Sequence, residues 1–418
     1  MGTIAVEIGL GIAFTIISLA PSIPEWIKKN DEPKLRVQVR TGLPQTTNMN
    51  EQEREEEYGK VNMGGHVPNV VLFNAAGDRI AHYRNKNEEN MGHNAPHDIY
   101  AEYFDKKNTQ TPEYITVTAS GPDAICITSI TVTPPNTQEM WAIVPGEVAS
   151  ECNKLGKSWK WAYSDTSVQI TRSDGKSKID VRPKCLWIDR TGNRGGTVQE
   201  NNVGSEGFQV HLPDFKLDNS KWKEWEGDLS QMCDSVSRFA VFEKLNNLQC
   251  PQKFDPPPPQ AGQTLPYPEA AACHPDIYHS EPKDDPALDD RGVAEVECMI
   301  LGDNRCFLSR HRRSMINSEP ARIFRNKAGN PFSGTLIWSQ DMRVSAIELC
   351  QDPASRQADL YSEREQMFCD METHTLYPVC GGGVEACFDP MQNVTRAAGN
   401  EKRELKPRYT KIHHWAKL

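Results

Sequence analysis

Along the first 250 residues, apolar and polar positions alternate with period two far more often than they recur every three or four. Leu35, Val37 and Val39 alternate with Arg36, Gln38 and Arg40, as in a strand with one buried face. Val70–Phe73 and Ile80–Tyr83 flank Ala75-Ala76-Gly77-Asp78, which predicts a hairpin. Tyr114–Ala119 forms another strand, ahead of a turn at Gly121-Pro122-Asp123. Over Ala124–Thr133 the parity slips: Ile125 and Ile127 share one phase, Ile130 and Val132 the other. One extra residue at Thr128-Ser129, a β-bulge, returns both pairs to the same face. Trp159, Trp161 and Tyr163 alternate with Lys160 and Ala162, a stripe that reads as core or cross-strand ladder ahead of a sugar platform. Val168 and Ile170, then Ile179 and Val181, surround Asp174-Gly175, a strong hairpin signal. Phe208, Val210 and Leu212 add a further strand.

Leu229–Leu248 departs from this pattern. Met232, Val236, Phe239, Ala240 and Phe242/Leu245 recur at helical spacing and predict a helix. Residues 47–60, nearly all charged at 51–57, read as a solvated loop or short surface helix. Farther on, Val293–Leu301, Gly334–Trp338 and Val344–Leu349 read as strands. The predicted class is mainly β with few helices: an antiparallel β-sandwich-like N-terminal domain and a smaller disulfide-rich β domain.

Proline marks the boundary. Ten of the 29 prolines fall within Pro251–Pro286, four of them consecutive at Pro256–Pro259. Proline fixes φ and donates no backbone hydrogen bond, so the run predicts an extended connector. The expected organisation is an apolar segment at 1–30, a sandwich at 31–250, the connector at 251–290 and the small domain at 291–418.

The 12 cysteines are even in number and lack the close spacing of a zinc site, so they suit disulfides in an oxidising compartment. Cys126, Cys152, Cys185, Cys233 and Cys250 precede the connector; Cys298, Cys306, Cys350, Cys369, Cys380 and Cys387 follow it. If each part pairs internally, the remaining Cys273 ties the connector to the first domain. Residues 1–23 are the only long apolar stretch. They read as a signal peptide cut after Ser18-Leu19-Ala20, as a membrane span, or as a retained helix packed on protein. A net charge of −10 and the lack of a basic, aromatic-interleaved stripe argue against nucleic acid as a partner.

Reaction signatures are few. No nucleophile elbow, zinc-protease helix or phosphate loop occurs, and no cofactor is implied. His93 and His97, with Asp98, are weak metal candidates because Pro96 breaks the helix that would align them. Cys273-His274 with Asp276 and His279 is no stronger, and Asp284, Asp285, Asp289 and Asp290 lack a calcium-loop pattern. Asn393-Val394-Thr395 is a glycosylation sequon. Arg310-His311-Arg312-Arg313 and Lys402-Arg403 are dibasic sites that a processing protease would cut after Arg313 and Arg403.

Several segments carry a resemblance: Asp123–Thr133, Cys185-Leu186-Trp187-Ile188-Asp189, Gly207–His211, Cys369-Asp370-Met371 with Leu376-Tyr377-Pro378, Cys387-Phe388-Asp389 and His414-Trp415. Together they resemble cysteine-containing secreted proteins of filamentous (ascomycete) fungi for which no activity is established. The resemblance is thin, runs from about residue 110 onward, and implies export without assigning a catalytic residue. The chain departs from it in lacking a clean signal peptide and at Thr133-Pro134-Pro135, where a tryptophan is expected. The expected function is that of a secreted, disulfide-stabilised structural or interaction protein, extracellular or cell-wall associated, whose partner is another protein or itself. The alternatives are an extracellular hydrolase or carbohydrate-active enzyme, and a membrane-active protein using residues 4–20. An enzyme would show a concave pocket with convergent polar groups; a binding protein would show an exposed apolar or aromatic patch.

Overall fold

The computed structural model describes residues 34–42, 63–85, 89–91, 96–106, 109–121, 124–135, 140–166, 168–171, 178–189, 205–215, 230–243, 252–255, 269–272, 332–381, 384, 386–396 and 409–416. The apolar N-terminal segment, Asp174-Gly175, Pro256–Pro259 and the strand expected at Val293–Leu301 lie outside them.

The first part contains strands β1 (Leu35–Thr41), β2 (Gly65–His66), β3 (Asn69–Phe73), β4 (Arg79–Tyr83), β5 (Asn90–Met91), β6 (His97–Tyr103), β7 (Tyr114–Thr118), β8 (Ile125–Thr133) and β9 (Trp141–Ile143). It continues with β10 (Trp161–Tyr163), β11 (Val168–Thr171), β12 (Lys178–Val181), β13 (Lys184–Ile188), β14 (Gly207–His211) and β15 (Phe239–Phe242). Helix α1 (Pro145–Asn153) lies between β9 and β10, and the one-turn α2 (Ser230–Cys233) precedes β15.

Most of these strands form one antiparallel sheet in the order β10-β13-β8-β1-β6-β4-β3-β7-β14-β15, with β9 also on β8. The sheet curls at β6. Residues 97–101 of that strand pair with β1, while Glu102 and Tyr103 pair with His82 and Ala81 of β4. A strand that passes between two layers turns the corner of a sandwich. The layers share one core: Val37, Ile99 and Ile130 from one side, and Leu72, Ile115 and Val210 from the other, are fully buried or nearly so. The bulge lies where the parity slip places it. Arg40 pairs with Ser129 and Thr41 with Ile127, so Thr128 is the extra residue.

Two expectations are corrected. Phe239–Phe242 is a strand, not part of a helix over Leu229–Leu248. Phe-Ala-Val-Phe is a short apolar run that fits either period, and pairing with β14, from Gly207↔Phe242 to Val210↔Phe239, decides it. Val344–Leu349 is not a strand: Ala346–Gln351 is helix α3. Ser345 caps it, its Oγ accepting from the Glu348 amide at 3.0 Å. Ser345-Ala346-Ile347-Glu348 matches the sequence form of a capping box.

The proline-rich stretch begins and continues as strands β16 (Gln252–Asp255) and β17 (Glu269–Ala272), paired antiparallel. Its start is docked on the first sheet. Gln209 and Gln252 exchange hydrogen bonds at 2.7 and 2.8 Å, and the Phe254 amide donates to the Tyr114 hydroxyl at 3.1 Å.

The second part is a mixed sheet in the order β21 (Thr375–Pro378), β20 (Met367–Asp370), β19 (Asp359–Ser362), β18 (Thr335–Ser339), β24 (Lys411–Trp415). A separate hairpin, β22 (Cys387–Asp389) and β23 (Val394–Arg396), follows β21 in the chain. Strand β18 runs parallel to both neighbours, and α3 forms the crossover from β18 to β19. Alternation gives the sheet two faces. Ile337, Leu360 and Trp415 join the core shared with the first part, whereas Leu336, Tyr361 and Phe368 pack under Phe388 of the hairpin.

Candidate functional site

The two parts meet at an exposed-edge problem. Strand β10 ends the first sheet and would leave unpaired backbone groups. Residues 355–357 cover it: Trp161 forms a parallel bridge with Ser355, the Arg356 amide donates to the Trp161 carbonyl at 2.8 Å, and the Tyr163 amide donates to Gln357 Oε1 at 2.8 Å. Beside this seam α1 and α3 face one another across a half-open cleft of about 900 Å³. Pro145 opens α1, its fixed φ suited to a first helical turn. Gly146 lets that turn lie on β13, since a Cβ there would meet the Lys184 carbonyl carbon.

Lys184 stands at the centre of the cleft floor. Its side chain is 7% exposed, and its ammonium donates to Glu348 Oε1 at 2.8 Å and to Ser150 Oγ at 3.0 Å. Glu147 lies 3.7 Å away and accepts the Lys184 backbone amide at 2.8 Å. The ammonium also sits 4.9 Å from the Trp161 ring centre and 5.5 Å from that of Tyr163. The Tyr163 hydroxyl donates to the other Glu348 oxygen at 2.6 Å. Asp352 accepts from Asn153 at 2.8 Å and from the Trp161 indole. Glu365, from the turn after β19, takes the Ser345 hydroxyl and the Ala346 amide, occupying the start of α3.

Electrostatics fix each charge. Burial pulls the Lys184 pKa down, but Glu348, Glu147 and Glu151 outweigh it, and the ammonium is held protonated above its ordinary range. Burial pushes Glu348 up, but Lys184 and Lys154, with hydrogen bonds from Lys184 and Tyr163, hold it at about 2. Burial, then the Glu348 charge, raises Tyr163 well above an ordinary phenol. Burial also raises Glu147, against the pull of Lys184. At Ser150 the Lys184 ammonium donates to the hydroxyl oxygen, whereas a base would accept the hydroxyl proton. A second buried cluster lies elsewhere in the first part. His211 has Glu113 at 3.0 Å on Nε2 and Asp214 at 2.9 Å on Nδ1, and Arg238 donates to Asp214 at 3.0 Å.

The residues singled out in the sequence are distributed as follows. Cys126 pairs with Cys185, Cys152 with Cys233, Cys350 with Cys369 and Cys380 with Cys387, each of these four bridges within its own part. Cys250, Cys273, Cys298 and Cys306 lie outside the described residues, as do His93, Arg313, Arg403 and residues 4–20. His97 opens β6, half-exposed, 3.6 Å from Glu89; no group of three metal-ligating side chains occurs among the described residues. Asn393 sits at the β22–β23 turn with φ 56°, beside the buried Thr395. Trp161 and Tyr163 are core, at 0% and 2% exposure, and form the back of the cleft. Among the described residues no helix is long and apolar enough to cross a membrane. Lys184 and Glu348 were missed by the motif search, although Lys184 shares strand parity with Leu186 and Ile188, a charge in phase with buried positions.

No family model matches the chain. None of the curated proteins matches it. Among solved structures it is similar to the crystal structure of Delta413-417:GS LOX, at 11% identity over 33% of this chain and 22% of that one, with a TM-score of 0.20. The anaerobic structure of the same LOX in complex with arachidonate gives 10% identity, the same coverage and the same TM-score.

Proposed function

We propose that this chain is a secreted, disulfide-stabilised interaction protein that acts by binding, with the cleft between α1 and α3 as its ligand site. The observation that carries the reading is the state of the cleft floor. Lys184 and Tyr163 are held protonated and Glu348 ionised, so these three groups are not poised to exchange a proton near neutral pH. Such a floor is prearranged by its own hydrogen bonds, which suits recognition. Four disulfides, the sequon at Asn393, the dibasic sites ending at Arg313 and Arg403, and the resemblance to fungal secreted proteins support export.

One observation favours hydrolysis as a second reading: Glu147 and Glu348 are pushed in opposite directions, as an acid and a base would be. Against it, both carboxylates approach the same ammonium, and Glu147 is 4% exposed with one oxygen committed to a backbone amide. The test is production of the full chain in a eukaryotic secretory host. The reading expects oxidised protein in the medium, a glycan mass shift removed by Asn393→Gln, and no turnover of glycoside, ester or peptide substrates. Intracellular retention with free thiols would overturn export. Turnover abolished by Glu348→Gln in a folded protein would establish the hydrolase.

A further inference from the structure

We infer that the ligand of the cleft is a small anion bearing carboxylate groups, held at the rim by Arg343 and Arg364. This rests on the cleft being a ligand site and deepens that reading by naming the chemistry. Among the described residues, six cations and five carboxylates line the cleft, in a chain whose net charge is −10, so the local balance runs against that of the whole.

All five carboxylates have protein donors. Glu348 takes Lys184 and Tyr163, and Glu151 takes Lys154 at 2.6 Å. Glu147 takes a backbone amide, Asp352 takes Asn153, and Glu365 takes Ser345 and the start of α3. Each carboxylate is thus already engaged by the protein's own donors before a ligand arrives.

The rim guanidinium groups are differently placed. Among the described residues, the Arg343 guanidinium meets Asp341 through Nε, at 3.2 Å, beside the Arg343 amide at 3.1 Å, and Asp341 is already shared with Arg182 at 2.6 Å. Exposed Arg364 donates one Nη to the Met342 carbonyl at 3.2 Å, which sets it against the backbone beside Arg343. Each guanidinium carries five N–H donors in a planar fork matched to carboxylate oxygens. Across the gap Lys154 leans to within 3.3 Å of Glu348, so the mouth is narrow there and admits a small molecule or an end group. Met342, 48% exposed, supplies an apolar contact beside the guanidinium pair.

The test is calorimetric titration of the full chain at low salt with galacturonate, citrate and a tetraglutamate peptide, using galactose as the neutral match of the first. Binding of one or more of the acids but not of galactose, weakened at least about tenfold by R364Q and by 0.5 M NaCl, is the expected result, and the strongest acid identifies the source. Absence of binding by all three acids, equal binding of galactose, or an unchanged affinity in R364Q would overturn the proposal. Ser158→Trp, which fills the exposed lip, separates the two levels of inference. Galactose binding that S158W abolishes removes the anionic class and keeps the cleft; binding that S158W leaves intact removes the cleft itself.

Discussion

Replacing Glu348 by Gln should destabilise the protein by about 3 kcal/mol at pH 7. The substitution keeps the shape of the side chain and leaves Tyr163 a carbonyl to donate to. It removes the charge facing Lys184, whose remaining partners are Glu147 at 3.7 Å and Ser150 at 3.0 Å. Two routes give the magnitude. Glu348 falls from 4.5 to about 2 on folding, and at about 1.4 kcal/mol per pKa unit that is about 3 kcal/mol of linked stability. Breaking a buried ion pair from one side costs about 3–5 kcal/mol, because the other charge stays buried. With Glu348 23% exposed, the low end of that range applies.

The sign of the pH dependence follows from the direction of the shift. Glu348 is depressed in the fold, so its contribution is complete above about 4.5 and is lost as pH falls through about 2. Urea unfolding of oxidised wild type and Glu348→Gln should therefore show a gap that is widest at neutral pH, narrows below pH 4.5 and nearly closes at pH 2. Using the difference between the two proteins cancels the carboxylates they share. The double variant Lys184→Met/Glu348→Leu should be less destabilised than the sum of its single changes, since neither member of the Lys184–Glu348 pair is left facing the gap of the other. A loss below 1 kcal/mol at pH 7, a gap that widens in acid, or strict additivity of the double variant would refute the reasoning.

Non-reducing peptide mapping should join Cys250 to Cys273, which bracket the paired strands β16 and β17 in the sequence, leaving Cys298 for Cys306; a bridge from Cys273 to either of the latter would refute that pairing. His211 has the opposite sign from Glu348: burial lowers its pKa, but Asp214 and Glu113 outweigh that and raise it, so its stabilisation is complete below 6.5 and is lost as pH rises through the higher folded value. His211→Gln should thus be more costly at pH 5.5 than at pH 9 by urea unfolding, and an equal cost at both would remove the charged imidazole from the account. A dibasic-specific protease should cut the native chain after Arg313 without loss of compact size on gel filtration; resistance until denaturation would mean that the stretch is enclosed.

What could be read in the sequence was local. The Thr128 bulge showed itself because Ile125, Ile127, Ile130 and Val132 lie within one strand and only one insertion puts them all in the core. The Ser345-to-Glu348 capping box was equally local, but period-two reading of Val344–Leu349 concealed it. Phe239–Phe242 was ambiguous by period, and its outcome depended on β14, about thirty residues earlier, whose edge was open. The cleft floor was out of reach for a different reason. Lys184 and Glu348 are separated by 164 residues, and no spacing rule connects positions brought together by the closure of β10 with residues 355–357.

The same geometry explains why that floor is charged and not apolar. The described bridges secure each wall of the cleft to its own part: Cys152–Cys233 ties α1 to α2, and Cys350–Cys369 ties α3 to β20. No described bridge passes from one part to the other. Besides the shared apolar core, contact at the cleft relies on directional bonds such as Trp161 to Asp352, Tyr163 to Glu348 and Lys184 to Glu348. An apolar seam between two separately stapled parts could slide, since burial has no preferred direction, whereas a buried lysine with two carboxylates can be satisfied in one arrangement. The Lys184 cluster thus sets the relative position of α1 and α3, and with it the width of the mouth between Lys154 and the arginines of the opposite rim. Glu348→Gln should then weaken ligand binding as well as stability, with every described disulfide intact.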